Sequence, residues 1–185
     1  MEEINKLRKL YQLKNISRAN SVLDRKESSA EHSWSCLILA DYFLSTFKFK
    51  LDRLKVYELL MYHDVVEIET GDVNLINVKS HQKKKESELK ALHSLEKKTP
   101  ARLGKKLGSL FMEFEEQQTP EARFAKAIDA LDAEIHEMDY KQDWKGWTEE
   151  FLRKHKEPLF KEFPEIKEMF EKTTKFARDN GYFKQ

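Results

Sequence analysis

Leu59-Leu60-Met61-Tyr62-His63-Asp64-Val65-Val66-Glu67-Ile68-Glu69-Thr70-Gly71-Asp72 sets one histidine among four carboxylates, in a stretch whose other residues are mostly apolar. Asp52 can cap a helix that carries Leu54, Tyr57, Leu60 and Met61 and runs to His63-Asp64 or one turn beyond, where Thr70-Gly71-Asp72 stops it. On a helix Glu67 stands one turn after His63 and Asp64, so all three can face one pocket near the C-terminal end. Exposed carbonyls and the negative end of the helix dipole meet these carboxylates there, which makes a cation the natural neutraliser. An imidazole and a carboxylate are both ligands for a divalent metal, but two adjacent residues are too few for a site. Further ligands must come from other elements.

The rest of the chain is read as helical too. With 5 Gly and 4 Pro in 185 residues there is little turn chemistry for a sandwich or barrel, so the expectation is an all-α bundle forming a single domain over 1–185, with a C-terminal helical extension from about residue 145. The 34 basic and 33 acidic side chains leave a net charge of +1, which disfavours general nucleic-acid binding and attachment to an anionic membrane. No apolar run approaches the ~20 residues of a membrane span. The Met1-Glu2-Glu3 start lacks a signal peptide's basic and apolar regions, and the single Cys36 has no intrachain disulfide partner, so a cytoplasmic location is expected.

Working outward, Glu2–Lys14 reads as a helix and the polar stretch from Asn15 to Ser29 as a loop. Ser28 or Ser29 then caps a helix apolar on nearly every side, from Trp34 to Phe47, expected at the centre of the domain. A charged helix spans about Lys79–Lys98 on a thin seam of Leu89, Leu92 and Leu95, with Lys83-Lys84-Lys85 as a solvated face. Thr99-Pro100 and Thr119-Pro120 each read as N-cap and first helical residue, the second opening the stripe Phe124, Ile128, Leu131, Ile135 and Met138. In the tail, Pro158 and Pro164 start helices and Gly181 ends one.

Candidates for the missing ligands are His32, which opens the central helix beside Glu31, and Asp129 or Asp132, each of which interrupts an apolar helix. Helical geometry does not choose between the two aspartates. His81, His93, His136 and His155 have no partners at ligand spacing and read as structural or exposed; Cys36 reads as a small core residue.

Taken in order, Glu31-His32-Ser33, His63-Asp64 followed by Glu67 and Gly71-Asp72, and Lys126-Ala127-Ile128-Asp129 resemble the HD-domain metal-dependent phosphohydrolases, in their 5′-deoxynucleotidase-like branch, over about Leu13–Tyr140. The resemblance implies His32, His63, Asp64 and Asp129 as ligands of a divalent metal (Mn, Co, Zn, Mg or Fe). It implies Glu67 as the residue that positions or deprotonates the attacking water, and Asp72 as a carboxylate behind the ligands or facing the substrate. Asp132 is expected to orient a ligand, and Arg18 and Arg25 to bind phosphate. The implied reaction is release of phosphate from (deoxy)nucleoside 5′-monophosphates. Rival readings are hydrolysis of another phosphate compound, a nucleoside triphosphate or an alarmone, and a non-catalytic helical binding protein that holds a metal.

One departure stands out. Relatives often carry a Trp after the phosphate-binding Arg that closes on the sugar, whereas Arg18 is followed here by Ala19-Asn20-Ser21. Weak discrimination between deoxyribose and ribose is expected, unless Trp34 supplies the wall. A homodimer is also expected, from the polarity of the fourth helix, the aromatic tail (Trp147, Phe151, Phe160, Phe163, Phe170, Phe176) and the resemblance.

Overall fold

Ser28 and Glu31 start the central helix by capping each other: the Ser28 side chain accepts from the Glu31 N–H, and the Glu31 carboxylate accepts from the Ser28 N–H. The computed structural model describes residues 1–73 and 78–184, and the side chains of 78–84 lie outside the described residues. The readings of His81, Lys83 and Lys84 therefore lie outside them too. In chain order the elements are α1 (Glu2–Leu10), β1 (Ser17–Val22), β2 (Arg25–Ser28), α2 (Ser29–Thr46), α3 (Arg53–Tyr62), α4 (Glu67–Thr70), α5 (Val78–Lys98), α6 (Ala101–Glu116), α7 (Pro120–His136), α8 (Glu149–Lys156) and α9 (Pro164–Asp179). Among the described residues the protein is a helical bundle with one two-stranded antiparallel hairpin.

That hairpin replaces the expected loop. β1 pairs with β2 through Ser17 with Ser28, Ser21 with Lys26, and Val22 with Arg25. Its polar residues give little intrinsic strand preference, and its partners lie far along the chain: Asp143 accepts from the Ser21 N–H at 2.6 Å and from its hydroxyl at 2.8 Å. Tertiary contacts thus override the local signal.

Helices α2, α3 and α7 pack on one another, and α9 packs on α7. Phe43, Leu59, Phe124, Ile128, Phe160 and Phe170 are fully buried in one shared cluster, so the tail is built into the main core. On α3 the buried residues are Val56, Leu59 and Leu60, while Leu54 and Met61, expected in the stripe, are exposed. The expectation of a helix buried all round also fails for one row of α2: Trp34, Ile38 and Tyr42 are 64%, 55% and 47% exposed.

A second cluster joins Leu13, Val65, Val66, Leu92, Leu95, Leu107 and Phe111 beneath α5 and α6. Thr99 does not cap α6 as expected; its hydroxyl donates to the carbonyls of Leu95 and Glu96 and so closes α5, leaving Pro100 at the N-cap. Thr119 does cap α7, accepting from the Ala122 N–H at 3.1 Å. The two clusters meet at the turn between α3 and α4. Leu59 and Leu60 anchor one side of it and Val65 and Val66 the other, so His63 and Asp64 are held between two packed cores.

Candidate metal centre and active site

α3 ends at Tyr62, one residue before the histidine, and a run of three-residue hydrogen bonds carries the chain through to α4: Val65 N–H to Tyr62 O, Glu67 N–H to Asp64 O, and Glu69 N–H to Val66 O. His63 uses one of the helix-end carbonyls, donating its Nδ1–H to Leu60 O at 2.7 Å. Its Nε2 is therefore a lone pair, buried and without a hydrogen-bond partner, with Asp64 Oδ2 at 3.2 Å out of hydrogen-bonding alignment.

His32, in the second turn of α2, repeats this arrangement. Its Nδ1 faces Asp132 Oδ2 at 2.9 Å and its Nε2 faces Asp129 Oδ1 at 3.0 Å. Asp64 Oδ2 lies 3.9 Å from His32 Nε2, and Asp129 Oδ1 lies 3.8 Å from His63 Nε2. Two imidazole nitrogens and two carboxylate oxygens thus converge at separations of 3.0–3.9 Å, the spacing of donors that share one ion at bonds of about 2.1 Å. Asp64 and Asp129 are held below the usual carboxylate range: for Asp64 the neighbouring imidazoles and Arg18 outweigh burial, and for Asp129 Lys126 and its bond to His32 do. His32 is raised well above its ordinary value, because its bonds to Asp129 and Asp132 overcome burial and Arg18. Without a cation the aspartates demand a second proton on this imidazole; a divalent ion fits in that proton's place. The residues present fit a metal.

By proximity alone Cys36 joins His32, His63 and Asp129. Its sulfur, however, lies 3.7 and 3.6 Å from both nitrogens of the His32 ring, against the ring face, and burial pushes the thiol up to about 12. A thiol that keeps its proton is a packing neighbour of the ring.

Glu67 opens α4, buried, with Ser29 Oγ–H donating to its Oε2 at 2.7 Å. Burial, then the charge of Asp64, raises it to about 8. Arg18 on β1 reaches the same place: Nε donates to Glu27 Oε2 at 3.2 Å and Nη1 to Asp64 Oδ2 at 3.3 Å, with Asp72 Oδ1 4.0 Å away. Asp64, Asp72 and Glu27 outweigh burial and raise the Arg18 pKa. Arg25 is not brought to this place. It sits at the hairpin turn, exposed, in a bidentate pair with Glu31, away from the residues that surround Arg18.

These groups open onto a cavity of about 230 Å³ lined by Arg18, Asn20, His63, Asp64, Glu67, Asp72 and Asp129. It contains residues that sequence reasoning left without a role. Lys126 lies 3.3 Å from Asp129 Oδ2 and 4.4 Å over the Phe114 ring, raised to about 12 because Asp129 and Glu115 outweigh burial. Glu134, Glu137, Trp147, His155 and Lys156 line the other end. The motif that contains Lys126 is visible in the sequence, where Trp147 reads as part of an aromatic tail and His155 as structural or exposed; nothing local sets Glu134, Glu137 and Lys156 apart from solvated residues. Trp34 is not among the lining residues.

Residues 10–167 match the HD domain family model. The 5′-deoxynucleotidase HDDC2 of Bos taurus is 28% identical over 137 residues, 72% of this chain and 65% of that protein. The Xenopus laevis protein of the same name is 25% identical over 134 residues, 71% and 65% respectively, so the match spans slightly under two-thirds of these relatives' length. Among solved structures, a predicted metal-dependent phosphohydrolase from Magnetospirillum magnetotacticum MS-1 is 25% identical with a TM-score of 0.78, covering 100% of this chain and 97% of that one. A conserved hypothetical protein from Pyrococcus furiosus shares the fold, with a TM-score of 0.64 at 22% identity, covering 95% and 99%. Matched over most of its length, and with two histidines and two aspartates from three separate parts of the chain meeting at one point, this protein belongs to the HD domain family.

Proposed function

We propose that the chain is a metal-dependent phosphohydrolase that releases phosphate from (deoxy)nucleoside 5′-monophosphates. The observation that carries this reading is that Arg18 and Lys126 flank the His32-His63-Asp64-Asp129 cluster in one cavity, with Glu67 beside it. Those four residues would hold a divalent cation, which when bound supplies a Lewis acid and lowers the pKa of water. Arg18, itself held by Glu27, presents its guanidinium to a phosphoryl group, and Lys126 adds a second positive charge. Glu67 is held through Oε2 by Ser29 and is raised by burial to about 8, which suits a group that takes a proton from water and returns it to a leaving alkoxide. With Asp64 neutralised by the ion it holds, this carboxyl ionises more readily.

The test is phosphate release from a panel of nucleoside mono- and triphosphates and an alarmone with Mn²⁺, Co²⁺, Zn²⁺, Mg²⁺ or Fe²⁺, together with elemental analysis. Release from monophosphates in the presence of metal is expected. No release with any ion, alongside bound metal, favours the non-catalytic binding protein instead.

Two further readings belong here. A cytoplasmic location is proposed because Cys36 is the chain's single, buried cysteine; among the described residues no helix is long and apolar enough to cross a membrane. A homodimer is proposed on changed grounds. Ala91, Leu92 and Leu95 bury α5 against α6, and Trp147, Phe160, Phe163 and Phe170 fill the main core, so neither the polar helix nor the tail calls for a partner. The exposed Trp34-Ile38-Tyr42 row takes their place as the motive. Light scattering at micromolar concentration tests it, and a 22.1 kDa particle rules against the dimer.

A further inference from the structure

The face of α7 that presents Asp129 continues along the cavity as Ala130, Ala133 and Glu134 and, in the turn just past the helix end, Glu137. At about 1.5 Å per residue, Glu134 lies roughly 7.5 Å and Glu137 roughly 12 Å farther along the axis than Asp129, past the phosphate and in reach of the nucleoside. Alanines at 130 and 133 keep the wall open between these ends.

Both carboxyls are deeply buried, 1% and 8% exposed. Lys156 bonds one oxygen of Glu134 and donates to Ala130 O at 3.0 Å, but Glu134 Oε2 is buried with no hydrogen-bond partner. Asn20 Nδ2 donates to Glu137 Oε1 at 2.7 Å. The Trp147 ring, also buried, lines the cavity with Lys156 Nζ 5.8 Å from its centroid. This end thus offers acceptors and a flat aromatic wall, and its one lysine is already committed. Further phosphates would meet carboxylates here. A buried acceptor without a donor is unfavourable until a ligand brings an N–H or O–H to it, and an indole face suits a planar ring better than a sugar.

We propose that Glu134 and Glu137 recognise the nucleobase through its exocyclic amino group, so that cytosine, adenine and guanine nucleotides are preferred to uracil and thymine ones. The inference rests on the monophosphate reading above. Burial, which raises Glu137 to about 8, agrees with it, because a protonated carboxyl adds a donor for a ring nitrogen beside the amino group.

The experiment compares 2′-deoxycytidine and 2′-deoxyuridine 5′-monophosphates, which share a sugar and differ in one amino-for-oxo exchange. kcat/KM should favour the cytosine nucleotide by about tenfold or more. The metal-free protein should show a larger thermal shift with deoxycytidine than with deoxyuridine. Glu134→Gln keeps an acceptor for Lys156 and turns an amide N–H toward the base, so it should reverse the preference toward uracil. If that variant does not fold, the wild-type comparison of the two nucleotides and of the two nucleosides stands by itself. Phosphate release from both nucleotides with equal kcat/KM and equal nucleoside shifts overturns the base assignment and leaves the hydrolase reading intact. No release from either nucleotide with any metal overturns both.

Discussion

His32 and Asp132, 100 positions apart, meet at 2.9 Å between Nδ1 and Oδ2, and this contact decides which nitrogen of His32 faces the metal centre. A carboxylate that holds Nδ1–H leaves Nε2 as the lone pair and makes it a stronger ligand. Asp132→Asn is expected to weaken divalent-metal affinity by about 10–100-fold while the helical circular dichroism signal stays unchanged. Calorimetric titration of the metal-free protein measures this; unaltered affinity would remove Asp132 from the site.

Glu67→Gln should lower turnover by about 10²–10⁴-fold with metal content unchanged. The glutamine still accepts from Ser29 Oγ–H, so the pocket keeps its shape while the proton acceptor is gone. Near-normal turnover in this variant would reassign the base.

Glu137 gives stability a pH dependence of definite sign. Burial, then the charge of Glu134, raises it from an ordinary 4.5 to about 8, so the folded state binds more protons than the unfolded state across that interval. Its contribution is complete below about pH 4.5 and is lost as the pH rises toward 8. Glu137→Gln carries no charge to bury, and its stability advantage over the parent should grow between pH 5 and pH 8, by at most about 1.4 kcal/mol per pH unit. Urea unfolding of the metal-free proteins across that range tests it; a constant difference would mean that Glu137 stays ionised.

The sugar end should discriminate weakly. Ala19 and Asn20 line the cavity after Arg18 and neither has the volume of an indole, while Trp34 lies exposed elsewhere on α2. The deoxy-to-ribo ratio of kcat/KM for a single base is expected to stay within about tenfold, ~1.4 kcal/mol of differential transition-state binding. A thousandfold preference, measured at saturating metal, would shift the selectivity to Trp147, the indole that does line the cavity.

What the sequence determined by itself is local. The caps Ser28 with Glu31 and Thr119 before Pro120, the positive-φ Gly71 (φ 73) after α4, and the Phe124-Ile128-Leu131 stripe depend on neighbours within one or two turns, and the chain displays them directly. The helical character of the fold and the ordered His and Asp motifs were legible for this reason. Tertiary structure decided the rest. It turned a polar loop into a hairpin through Asp143 and Glu137, which lie more than a hundred residues away, and it placed Arg18 in the cavity and Arg25 in solvent although both belong to that hairpin. It also joined Glu134 to Lys156 across the cavity from Arg18. A charged residue on a helix looks the same in sequence whether it faces water or a pocket, because that difference lies in which distant surface packs against it.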